Sequence, residues 1–267
     1  RDSLNGATVT GDSNIAIGVS ALDAQTGGDN CIAIGLNAAG SSYGVDNVIG
    51  IGAYAAHNGL GAGTIAIGYY AGYYSQTANN TFVGYESGKG TGTAGYGNST
   101  GLGYQALKGL TSGDDNTGIG YLAGFQLESG NSNTIIGSYA GDGATDFDKT
   151  VLIGMYAGSG ALTSDADGTV AIGYQAGYSI TSGQRQTFLG YQAGYSSTTG
   201  DENVFIGYQA GYGNIDNIGN IYIGKQAAYN IGDGSYNVAI GEEAMKSTGT
   251  AANNHPNYNV AVGNQAA

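Results

Sequence analysis

The sequence predicts an all-β protein, a single β-solenoid of about fifteen coils with about 17 residues per coil. Three observations predict this fold. One glycine-centred unit recurs along the chain, each of its positions keeps its residue type from copy to copy, and the unit is too short for a strand, a helix and two turns. With about 4.8 Å between coils, we expect a rod roughly 70 Å long.

The unit is clearest in residues 169–178, 186–195 and 203–212, which read TVAIGYQAGY, QTFLGYQAGY and NVFIGYQAGY. Nine of the fourteen spacings between successive central glycines are 17. Positions are numbered below from this anchor glycine, so that Ile206 is at −1 and Gln209 at +2 of Gly207. The anchors are Gly18, Gly35, Gly52, Gly68, Gly84, Gly103, Gly120, Gly137, Gly154, Gly173, Gly190, Gly207, Gly224, Gly241 and Gly263.

Positions −3 to −1 predict a short strand. Position −1 is Ile, Val or Leu in every copy, and position −3 is Ile, Val or Thr. Side chains two residues apart on a strand share a face, so we expect these two columns to be buried and the varied residue between them to point outward. In the second half of the chain the expected buried ladder is Ile172, Leu189, Ile206, Ile223 and Ile240.

The positions after the anchor predict a corner and a narrow core. Position +3 is Ala in fourteen copies and Ser87 in the other, which indicates two closely spaced backbone layers. Position +4 is mostly Gly or Ala, which suits a tight bend, and the polar remainder is typical of turns. We expect the small-residue ladder to face the aliphatic one: Ala176, Ala193, Ala210, Ala227 and Ala244.

Three further columns predict ladders along the stack. Asn recurs at −4, where side-chain amides can bond from coil to coil. Tyrosine recurs at +1 and +5, and three roles are open for it: stacking between coils, packing against a neighbouring protomer, or binding glycans. The candidate binding or packing face comprises Tyr174, Tyr191 and Tyr208 at +1, and Tyr178, Tyr195 and Tyr212 at +5.

Composition limits the function classes. The chain has 52 Gly, one Pro and one Cys, and its formal net charge is −13 with only seven basic residues, which are scattered. Binding to nucleic acid needs clustered Lys and Arg, so we expect none, and no apolar run is long enough to cross a membrane. We find no linker, so residues 1–267 are predicted to be one domain. The acidic, cysteine-poor repeat composition favours an extracellular location, on the cell surface or in an appendage.

No constellation in the sequence predicts catalysis. His57 and His255 fall in distant coils, and we find no nucleophile triad and no phosphate-binding loop. Residues 146–148 and 165–168 superficially resemble calcium loops but lack the further oxygen ligands that such loops need. The sequence therefore predicts no enzyme and no cofactor, with calcium at these acidic loops as the alternative.

The strand phrase VAIG at 238–241 resembles the head repeats of trimeric autotransporter adhesins. The phrase TFLGYQAGY at 187–195 resembles repeats of bacterial and phage tail-fibre-like surface proteins. The resemblance covers nearly the whole chain, although the adhesin heads have shorter coils. It implies an extracellular surface protein, lateral trimerisation and adhesion.

The two ends have two explanations: the chain is a segment of a longer solenoid, or copies stack head to tail, which we favour because both ends fall at complementary points of the repeat. Residues 260–267 stop just after the small-residue corner, and residues 1–13 read as a return loop with no strand before it. Joining the last residue of one copy to the first of the next gives an anchor spacing of 22, equal to the last internal spacing. We expect the last strand to lie over the first strand of the next subunit, with an interface that comprises Arg1, Ile15, Ile17, Val260, Val262 and Ala267.

The leading hypothesis is a non-enzymatic subunit that stacks head to tail into a surface filament or fibre. The alternative is an adhesin or phage tail-fibre head that binds glycans or a host surface through the tyrosine-rich face.

Overall fold

The computed structural model describes residues 11–41, 43–58, 61–92, 95–247 and 256–267 and forms a β-solenoid with one three-residue strand per repeat. One short 3-10 helix, Ser164–Ala166, is the only helix in these ranges. The strands are β1 (Ile15–Ile17), β2 (Ile32–Ile34), β3 (Ile49–Ile51), β4 (Ile65–Ile67), β5 (Thr81–Val83), β6 (Thr100–Leu102), β7 (Thr117–Ile119), β8 (Thr134–Ile136), β9 (Val151–Ile153), β10 (Val170–Ile172), β11 (Thr187–Leu189), β12 (Val204–Ile206), β13 (Ile221–Ile223), β14 (Val238–Ile240) and β15 (Val260–Val262).

The chain divides into two compact units, Arg1–Ser132 with β1 to β7 and Asn133–Ala267 with β8 to β15. Within each unit, consecutive strands pair in parallel and equal repeat positions lie side by side. Ile15 pairs with Ile32 in the first unit, and Val204 pairs with Ile221 in the second. This register confirms the predicted solenoid and its repeat, whereas a single domain over residues 1–267 stays a prediction.

The predicted inside and outside of the strands are reversed. In every described strand the middle residue is the most buried, and the first and third residues are partly exposed. Phe188 is fully buried, while Leu189 beside it is 43% exposed. The buried ladder predicted for Ile172, Leu189, Ile206, Ile223 and Ile240 is therefore wrong, whereas the facing ladder is buried as predicted: Ala176, Ala193, Ala210, Ala227 and Ala244.

The physical reason lies in the length of the strands. A strand of three residues between two sharp bends directs one side chain, its middle one, into a narrow core. The alternation of side chains fixes which residues share a face, but it does not fix which face is inside. The aliphatic residues at −3 and −1 suit a strand backbone even when they are exposed, because β-branched side chains favour extended conformations.

The core is filled by size matching between positions −2 and +4. A Cβ added to Gly194 would lie 2.7 Å from the Phe188 ring, and one added to Gly177, in the preceding repeat, would lie 3.0 Å from it. Every Phe, Leu or Ile at −2 accordingly has Gly at +4 in its own and the preceding repeat. A large residue at +4 likewise requires a small residue at −2, because a Cβ added to Gly118 at −2 would lie 2.5 Å from Leu107 at +4.

Two features hold successive coils at a fixed spacing. The anchor glycines have φ between +128° and +142°, and a Cβ on Gly207 would lie 2.4 Å from the carbonyl oxygen of Gly224, so the column admits only glycine. The predicted asparagine ladder is confirmed in the second unit. Asn220 accepts the N–H of Asn237 at 2.8 Å and donates to the Gly234 carbonyl at 2.8 Å.

Candidate assembly and binding surfaces

The tyrosine columns stack as the repeat predicts. At +1 in the second unit, the Tyr174, Tyr191 and Tyr208 rings lie 5.1 and 5.2 Å apart within 18° of parallel. They are 38–46% exposed, because position +1 follows the corner and points away from the core. At +5, rings 5.0–5.1 Å apart form a second, half-buried column: Tyr178, Tyr195, Tyr212 and Tyr229.

An amide ladder accompanies the tyrosine columns at position +2. The side-chain amides of Gln192, Gln209 and Gln226 each donate from Nε2 to the Oε1 of the glutamine in the preceding coil at 2.8–3.0 Å. Lys246 donates to the Oε1 of Gln226 at 2.7 Å. The ladder comprises Gln175, Gln192, Gln209 and Gln226. In the first unit, the ring centroid of Tyr70 at +2 lies 4.5 Å from that of Tyr69 at +1 and 4.8 Å from that of Tyr73 at +5. The three columns therefore adjoin on one surface. We call positions +1, +2 and +5 the tyrosine face.

The outer sheet face is the surface that sequence reasoning missed. It consists of the first and third residues of each strand, which are aliphatic or Thr in every described strand, and none is charged. In the second unit, Leu189, Ile221 and Ile240 are 43%, 39% and 38% exposed. Contiguous apolar surface of this kind marks interaction sites in soluble proteins.

Four residues of the predicted assembly interface lie on the first and last described strands. Ile15 and Ile17 belong to β1, and Val260 and Val262, the most exposed of the four at 73% and 65%, belong to β15. Ala267 is exposed, and Arg1 lies outside the described residues. Beside β15 the core opens into a cavity of about 580 Å³, with walls formed by Ile231, Met245, Lys246, Ser247, Pro256, Asn259, Val260, Ala261 and Ala267.

One polar cluster on the first unit has a perturbed carboxylate. Burial of Glu86 raises its pKa, but hydrogen bonds from Lys108, Lys89 and Gln105 at 2.7–2.9 Å outweigh that effect and lower the pKa to about 2. Lys89 also lies over the Tyr70 ring at 5.0 Å. The cluster links neighbouring coils, because Lys108 and Gln105 belong to the repeat after that of Glu86.

Described residues of the two acidic loops are hydrogen-bonded to each other. Asp167 uses its carboxylate to accept the N–H of Asp148 at 2.7 Å, and no group of three or more His, Cys, Asp or Glu is placed to hold an ion in the part of the chain that the structure describes. His57 contacts Tyr54 and Tyr73 rings, while His255 lies outside the described residues. Within the same ranges, no helix has the length and apolarity to cross a membrane.

The outer sheet face, the tyrosine face and the edge strands are thus the surfaces with functional potential. The outer sheet face and the tyrosine face repeat from coil to coil, as surfaces for extended contacts do. Comparison of the chain with models of known protein families, with curated proteins and with solved structures found no match.

Proposed function

We propose that this protein is a non-enzymatic, extracellular structural protein whose subunits stack end to end into a fibre. The observation that supports the proposal most is the complementarity of the edge strands. In every paired coil the same two hydrogen bonds recur. Ile15 N–H donates to the Cys31 carbonyl of the next coil, and Gly35 N–H donates back to the Ile17 carbonyl, both at 2.8 Å.

This pattern shows which backbone N–H and carbonyl groups of each edge strand are directed towards a neighbouring subunit. By the same geometry the N–H of Val260 and the carbonyl of Val262 point away from β14. At the other edge, the carbonyl of Asn14 and the N–H of Gly18 point away from β2. Donor therefore meets acceptor when β15 of one subunit lies over β1 of the next. Such a contact is heterologous and does not close, so it produces a filament.

The variant Val260→Pro tests the stacking. Proline removes the Val260 N–H, which would reach the next subunit, and it is tolerated at the first residue of an edge strand. Val260→Thr keeps the N–H and serves as the matched control. Under electron microscopy we expect fibres from the unmodified chain and from Val260→Thr, and single particles from Val260→Pro at an unchanged melting temperature. Fibres of unchanged length from Val260→Pro, or single particles from the unmodified chain, contradict the proposal.

A second candidate function is adhesion to glycans through the tyrosine face. It is supported by the exposed rings at +1 and the adjoining amides at +2, since aromatic faces with polar neighbours suit sugar rings. The test compares Tyr191→Ala with Tyr43→Ala, because Tyr43 is 72% exposed but lies outside the stacked columns. Loss of binding on a glycan array with Tyr191→Ala alone supports adhesion, and binding by neither the unmodified chain nor the variants rejects it.

A further inference from the structure

The outer sheet face of the second unit has an unusual combination of properties. It spans β8 to β15, its strands pair in register, and all its residues are partly exposed. Soluble monomers rarely expose contiguous apolar patches beyond a few hundred Å². Five of its sixteen residues, Leu189, Ile221, Ile240, Val260 and Val262, are 38–73% exposed and the other eleven are partly exposed. A face of this extent is on the order of the ~800 Å² per partner that a stable protein–protein interface buries.

We propose that this outer sheet face packs against the same face of a second copy of the chain, side by side with it. The inference goes beyond end-to-end stacking and does not depend on it, because the face extends along all the strands from β8 to β15 and shares only Val260 and Val262 with the stacking interface. It also differs from the tyrosine face, which the sequence had suggested as the packing surface.

Two features favour a second copy over another partner. The first is spacing: the rows of side chains repeat once per coil, about 4.8 Å apart, and a second copy presents rows at the same spacing over the full length of the face. A partner without this repeat loses register after a few coils. The second is charge. The formal net charge of −13 opposes association of two copies in general. The outer sheet face carries no charged residue, however, so packing through it does not place like charges of the two faces against each other.

The test compares two substitutions of the same kind on different surfaces. Leu189 is on the outer sheet face and 43% exposed, whereas Ile218 is in a return loop and 41% exposed. Each is changed to Lys in the Val260→Pro background, so that end-to-end stacking does not contribute. Molar mass is then measured by light scattering over a concentration series.

We expect a multiple of the single-chain mass for the background protein and for Ile218→Lys, and at least tenfold weaker association for Leu189→Lys. A single-chain mass for the background protein at every concentration overturns the proposal. Equal weakening by both lysines overturns it as well. Fibre formation by Leu189→Lys in the otherwise unmodified chain reports separately on stacking, so that failure of one proposal is distinguishable from failure of the other.

A second measurement covers the case in which the lysine variants misfold. Ile206→Cys places a thiol at the third residue of β12, and Ile218→Cys places one in the return loop, while the native Cys31 is fully buried. A bifunctional maleimide should join two chains through position 206 far more efficiently than through position 218. Equal yields at both positions indicate random collision and overturn the proposal.

Discussion

Replacing Gly194 by Leu should destabilise the protein strongly, and the structure indicates by how much. A Cβ at this position already lies 2.7 Å from three atoms of the Phe188 ring, and the backbone φ is +62°. Overpacking a tight core costs about 1–3 kcal/mol, and a left-handed conformation costs a non-glycine residue about 1–2 kcal/mol. We therefore expect Gly194→Leu to lower the free energy of unfolding by about 2–5 kcal/mol.

The effect of Gly194→Leu on the free energy of unfolding should disappear or reverse when the neighbouring Phe rings are removed. Phe188→Ala together with Phe205→Ala gives the surroundings that Leu22 has between Ala16 and Ala33, where Leu22 is fully buried at φ +52°. Burying a Leu side chain contributes about 1.5–3 kcal/mol, which exceeds or balances the backbone cost of about 1–2 kcal/mol. In this background Gly194→Leu should be neutral or stabilising by about 1 kcal/mol.

The assay is urea denaturation of the four proteins of this cycle, with Gly194→Ala in both backgrounds as a control for backbone strain alone. Solenoids can unfold locally, so hydrogen exchange of the Gly194 amide, which donates to the Ala210 carbonyl at 3.0 Å, provides a local measurement. If Gly194→Leu destabilises both backgrounds equally, backbone strain alone explains its effect and the size-matching rule is refuted.

Two further predictions concern the corner and the polar cluster. Gly207→Ala should cost roughly 2–6 kcal/mol, from a strained backbone and a clash with the next coil. Gly263→Ala has nearly the same φ but its Cβ meets only Ala266 at 3.8 Å, so it should cost clearly less in the same denaturation assay; equal costs argue against the clash. Because the pKa of Glu86 is lowered to about 2 in the folded state, its contribution to stability is present above its ordinary pKa and is lost as the pH falls towards 2. Glu86→Gln should remove this part of the pH dependence of the melting temperature, whereas Glu202→Gln, which breaks an exposed pair with Arg185, should leave it unchanged.

Periodicity predicted most of the fold correctly. The anchor glycines, the alanines at +3 and the asparagines at −4 occupy the positions that the repeat assigned to them. These columns are restricted by backbone geometry and by contacts with the adjacent coil, and such restrictions appear directly in a repeated sequence. The stacking of Tyr174, Tyr191 and Tyr208 was predictable for the same reason. Their binding or packing role stays a prediction.

The orientation of the strands was predicted wrongly, although the sequence contains the signal for it. Apolar residues at −3 and −1 are compatible with strands that direct these positions inward or outward, because a surface that packs on a second copy is as apolar as a core. Correlation between columns is more informative. Phe82, Phe188 and Phe205 at −2 are each flanked by glycines at +4, and only side chains that share the interior need to match in size. The varied column was therefore the buried one.

This reversed orientation links the stability of a coil to its neighbours. Coils in which small residues meet in the core, such as Ala171 and Ala176, bury little apolar area, although other coils place Phe, Leu or Ile at −2. Much of the cohesion must then come from the backbone ladder, the asparagine amides and the stacked rings, all of which join one coil to the next. The larger aliphatic side chains, such as Ile206, lie outside, where only another molecule can bury them fully. Packing against other copies would bury these side chains, which is the physical reason to propose a structural role in which copies stack and pack side by side.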